Sequence, residues 1–84
     1  MAVEYKGFSI PTIREYMNKM VLNGSGANFP QIVLETIDDS HLISSGVTIE
    51  EISGMKEQEA DQVILERSKL AIDNFLSMME KVNQ

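Results

Sequence analysis

The chain has 84 residues, 43% of them hydrophobic, with no cysteine and a formal net charge of −6. That length supports a single small domain, residues 1–84, with one modest core. The absence of cysteine excludes a disulfide framework, thiolate catalysis and cysteine-ligated zinc, and it fits a reducing compartment. The opening MAVEYKGFSIPTIREYM carries Glu4 and Lys6 and lacks the apolar centre of a secretory signal, so a cytoplasmic location is expected. No apolar run approaches membrane-spanning length, and membrane association is not expected.

The first patterned segment, EYKGFSI, alternates Tyr5, Phe8 and Ile10 imperfectly around Gly7 and reads as either a short strand or an extended arm. TIREYMNKMVLNG then predicts a helix, because Ile13, Tyr16, Met17, Met20 and Val21 recur at i, i+3, i+4, i+7 and i+8. Thr12 and Glu15 have capping-box spacing, and Gly24 can end the helix in a left-handed turn. The following GSGAN has no periodicity and reads as a flexible connection. QIVLETI, residues 31–37, is ambiguous. A short helix opened by Asn28 and Pro30, turning Ile32, Val33 and Ile37 inward, is favoured over a strand pairing with EYKGFSI.

IDDSHLISSG reads as a joint: a polar turn at Asp38 and Asp39 and a short segment ending at Gly46. Thr48 and Glu51 repeat the capping-box spacing, predicting a short helix that stops near Gly54. KEQEADQVILERSKLAIDNFLSMMEKV then runs without glycine or proline, with Glu57, Glu59 and Asp61 near its start and Lys81 near its end, where they complement the helix dipole. A helix of this length spans about 40 Å at about 1.5 Å per residue. Ala60, Ile64, Ala71, Phe75, Met78 and Val82 form one apolar stripe, and Leu65, Ile72, Leu76 and Met79 form a second roughly 90° away. A chain this small has few elements with which to cover both, so the second stripe is the expected surface for self-association or a partner groove, the alternative being that the short helices wrap around the long one and bury both stripes. The fold expected from these elements is mostly α: a small helical bundle built on a long C-terminal helix, with a short N-terminal strand or arm.

Charge is concentrated in the middle of the chain. Glu35, Asp38, Asp39, Glu50, Glu51, Glu57, Glu59, Asp61 and Glu66 stand against Lys56 alone. Such a block repels phosphate, so direct nucleic-acid binding is not expected, and it favours a protein partner with a basic surface; the alternative is solvated helix surface with charge near helix N-termini. Glu50, Glu51, Glu57, Glu59 and Asp61 are the candidate partner-binding residues.

Asp38, Asp39 and His41 offer metal-binding atoms, but there is no second histidine and no familiar ligand spacing, so no metal is expected. Ser40 and His41 are neighbours whose side chains diverge on a regular element, and no oxyanion hole is signalled, so no catalytic residue is assigned. No glycine pattern suits a phosphate cradle, and no cofactor is expected. The run DDSHLISSGVTIEEI resembles the loop and second-helix start of acyl carrier proteins, in which an Asp-Ser pair after the glycine region carries phosphopantetheine. Here Val47 and Thr48 follow Gly46, so the serine that resemblance requires is missing.

The functional expectation is a non-enzymatic protein-interaction module of adaptor, assembly-chaperone or inhibitor type, forming a homo-oligomer. The alternative is an acidic mimic of nucleic acid that blocks a basic groove on a DNA- or RNA-binding enzyme. A small metal-binding protein or enzyme is a distant third.

Overall fold

The computed structural model describes residues 2–23 and 31–82. Its elements run β1 (Val3–Tyr5), β2 (Phe8–Ile10), α1 (Ile13–Asn23), β3 (Gln31–Thr36), β4 (Leu42–Thr48), α2 (Ile49–Ile52) and α3 (Glu57–Val82). The strands form one four-stranded sheet in the order β1-β2-β3-β4, every neighbouring pair antiparallel. The expectation of a mostly helical bundle is therefore corrected to an α/β fold, in which a sheet carries a long helix across one face. The Gly24 helix end, the GSGAN connection and the Asn28-Pro30 opening lie outside the described residues, as does the inward placement expected for Met20 and Val21.

Two local features explain the correction. EYKGFSI is a whole hairpin: Lys6 and Gly7 form a two-residue turn with φ of 50° and 85°, the backbone hand that matches the twist of the flanking strands. Its alternation is imperfect because it reverses at Gly7. QIVLETI is a strand because it has partners on both sides, Phe8 and Ser9 on β2 and residues 42–48 on β4. The β4 partner is hard to read in the sequence because Ser44, Ser45 and Gly46 interrupt its apolar residues. Between the pairs Val33↔Ser44 and Gln31↔Thr48, β3 advances two residues while β4 advances four, a bulge that Gly46 accommodates at φ 79°.

The inward face of the sheet contributes Phe8, Ile10, Ile32, Leu34 and Val47, all at most 2% exposed, to a core completed by Tyr16, Ile52, Ala60, Ile64 and Ile72. Each large apolar side chain so enclosed contributes about 1.5–3 kcal/mol. α3 lies mainly over β4 and reaches β2, burying the line Ala60, Ile64, Ser68 and Ile72. At about 100° per residue, Ser68 falls midway between the two apolar stripes read from the sequence. The core line thus crosses from the first stripe, at Ala60 and Ile64, to the second, at Ile72, through a polar residue small enough to be enclosed.

Helix starts follow the sequence signals closely. Thr12 and Glu15 form the reciprocal capping box, with the Glu15 N–H donating to Thr12 Oγ1 and the Thr12 N–H to Glu15 Oε1, both at 3.1 Å. The Thr12 contact holds the Glu15 carboxyl below its ordinary range. Thr48 caps α2 by accepting from the Glu51 N–H at 3.1 Å. The Glu51 carboxylate also pairs with Arg67 on α3, whose guanidinium donates to the Gly46 carbonyl at 3.2 Å. α1 is fastened to the start of α3 by Asp61, which accepts the Ile13 N–H at 2.7 Å, and by the Arg14–Glu57 pair at 3.0 Å.

Candidate functional site

At the end of the sheet away from α1, the β1–β2 turn, the β3–β4 connection and the second half of α3 enclose an open cleft of about 430 Å³. Its apolar walls are Phe8, Ile37, Phe75, Leu76 and Met79, and its rim carries Glu4, Lys6, Asp38, Ser40 and His41.

The connection between β3 and β4 is shaped by its own polar side chains. Asp38 Oδ1 accepts from the Ser40 N–H at 3.1 Å and the Ser40 hydroxyl at 2.6 Å, a short turn that aspartate forms readily. Asp39 takes the left-handed conformation at φ 59°, and its N–H donates to the Thr36 carbonyl at 3.0 Å. Thr36 Oγ1 accepts from the His41 N–H at 2.9 Å, while the Ile37 N–H reaches the Gly7 carbonyl at 2.9 Å and ties the two strand turns together. The connection is a built loop that sets His41 against α3.

The aromatic wall follows from that placement. Phe75 meets Phe8 edge to face at 5.8 Å and His41 at 5.5 Å, geometries favoured by the ring quadrupoles. Beside it, Asp73 clamps the β1–β2 turn to α3: Lys6 Nζ donates at 2.8 Å and the Tyr5 hydroxyl at 3.0 Å. The Lys6 hydrogen bond, opposed by desolvation and aided by Tyr5, holds the Asp73 carboxyl below its ordinary value of 3.8 and raises that of Lys6.

Ser40 lies between Asp38 and His41, with its hydroxyl 2.9 Å from His41 Nδ1. A hydrolytic relay needs the histidine in the middle, taking the serine proton while a carboxylate orients its far nitrogen. Here the serine is in the middle, and hydrogen bonds from its side chain and backbone hold the Asp38 carboxyl below its ordinary value, making it a weaker base. The arrangement orders a loop. Among the described residues, no group of three or more His, Asp or Glu stands where it could hold a metal ion.

The residues singled out in the sequence are dispersed over the molecule. Glu51, Glu57 and Asp61 are each bonded within the chain, to Arg67, Arg14 and the start of α1. Glu50 and Glu59 are exposed and, among the described residues, their side chains have no partner. Of the second stripe, Ile72 is 0% exposed and offers no surface to another molecule, Leu65 and Leu76 flank the core, and Met79 is 37% exposed. Met78 and Val82, from the stripe read as core-facing, are instead 66% and 79% exposed. Phe8, Ile37 and His41 join Phe75 at the cleft, a grouping visible in the sequence only once both flanking hairpins are recognised. No protein family, curated protein or solved structure matches this chain.

Beyond the cleft α3 continues as an overhang. Residues 77–82 are all exposed. The longest dimension of the molecule, 42 Å, is close to the roughly 39 Å expected of the helix alone at about 1.5 Å per residue. No described helix is long and apolar enough to cross a membrane.

Proposed function

We propose that this chain is a non-enzymatic protein-interaction module, acting in the cytoplasm, that docks a partner in the cleft and along the overhanging turns of α3. One observation carries the reading: the apolar surface does not stop where the sheet stops, but passes from Phe75, Leu76 and Met79 in the cleft to Met78 and Val82 on bare helix. Contiguous exposed apolar surface with a polar rim is characteristic of protein-binding sites. Methionine suits such a surface because its unbranched thioether adapts to the shape opposite. Mimicry of nucleic acid gains no such support, since Glu51, Glu57 and Asp61 are committed to contacts within the chain.

The test is capture of partners from the source cell by the wild-type chain and by a Met79→Asp/Val82→Asp variant, with folding checked by circular dichroism. The reading expects the variant to keep its fold and lose the captured protein. Undiminished capture by a folded variant would overturn it.

A further inference from the structure

Resting on that reading, we infer that the cleft takes a cationic, apolar polypeptide segment, whose lysine or arginine side chains lie on the acidic rim while its apolar ones enter between Ile37, Phe75 and Met79. The charges around the cleft are one-sided. Glu4 on the rim and Asp39, adjacent in the chain to the rim residue Asp38, are exposed and their carboxylates have no partner among the described residues, and Asp38 is kept ionised by Ser40. Among the described residues, the lysine that lines the cleft, Lys6, is neutralised by Asp73 at 2.8 Å, and Lys69 is set back from the lining over the Tyr5 ring. On α3, Glu80 is one turn beyond Leu76 on a flank of the cleft-facing side, whereas Lys81 is on the opposite side of the helix. An apolar floor within an anionic rim repels nucleic acid and anionic lipid and favours a positively charged segment with apolar anchors. A second copy of this chain would set the same acidic rim against itself, on a molecule whose net charge is −6.

The probes are two amphipathic helical peptides with identical leucine positions, one filled with lysine and one with glutamate, titrated against the full chain by fluorescence anisotropy. Binding is mapped by amide chemical shifts. The lysine peptide is expected to bind at least about tenfold tighter than the glutamate peptide at about 0.05 M salt and to lose much of that margin at about 0.5 M. Its shifts should centre on Ile37, His41, Phe75 and Met79. Glu4→Gln/Asp39→Asn/Glu80→Gln should remove most of the preference, and Met79→Asp should weaken both peptides. Equal binding of the two peptides at the cleft overturns the cationic partner and leaves the protein-binding reading standing. Shifts centred on Glu50 and Glu59, no binding at all, or a wild-type dimer in light scattering that Met79→Asp dissolves would each overturn the inference. Failure of the reading itself is registered separately, by undiminished partner capture.

Discussion

The two halves of α3 are built from similar residues and put them to different uses. In the first half, from Glu57 to Ile72, Ala60, Ile64 and Ile72 are buried in the core, and several charged side chains are engaged: Asp61 caps α1, Glu57 holds Arg14, and Arg67 joins Glu51 and Gly46. In the second half, Asp73 and Phe75 still grip the strand turns, but residues 77–82 are all exposed. The same helical pattern is core at one end and surface at the other because the sheet runs out, and the hydropathy of the sequence does not change where it does.

Substitutions should divide along that boundary. Ile64→Ala, in the enclosed half, removes a fully buried side chain and is expected to destabilise by about 2–5 kcal/mol in denaturant unfolding, whereas Met78→Ala should stay within about 0.5 kcal/mol. A Met78→Ala cost as large as that of Ile64→Ala would erase the distinction. Gly7→Ala, in the turn that Asp73 grips, meets no steric neighbour, so its cost is the left-handed backbone alone, about 1–2 kcal/mol in the same assay. Ser68→Ala tests the core line from the other direction. The Ser68 hydroxyl is buried without a hydrogen-bond partner, so its removal should leave stability unchanged or raise it by up to about 1 kcal/mol. A clear loss would show that the hydroxyl is bonded.

The smallest effect is the acid response of the clamp on the second half. Because Asp73 is held below 3.8 in the folded chain, its contribution is complete above that pH and is lost as the pH falls through the lower folded-state value. Asp73→Asn should flatten that part of the stability profile. The exposed, solvent-screened pair makes the change small, and it is best read from Tyr5 and Lys6 resonances during acid titration.

Helix starts were legible in the sequence because they depend on neighbours three residues apart. Thr12 with Glu15 and Thr48 with Glu51 mark the positions where α1 and α2 begin. The sheet was not, because each strand is short and depends on partners distant in the chain: Phe8 pairs with Thr36, and Gln31 with Thr48. Lys6-Gly7 is a less recognisable turn than Asn-Gly, and Ser45 and Ser68 hide in a core that a hydropathy pattern expects to be apolar throughout. With the strands missed, the cleft could not be foreseen, since three of its apolar walls are separated in sequence as Phe8, Ile37 and Phe75. The acidic block was visible at once, yet its residues are spread through caps, ion pairs and loops.

The bulge in β4 also bears on how the molecule behaves in a crowded solution. A border strand normally invites another chain to zip alongside it, and that invitation is how sheets begin to grow into fibres. Here the Gly46 carbonyl is taken by Arg67, the Gly46 N–H by Ser44 Oγ and the Val47 N–H by Ser45 Oγ. A stranger approaching that stretch finds these hydrogen-bonding sites already spoken for, so the protein presents bare methionines on α3 while the bulged part of this border offers little for another strand to pair with.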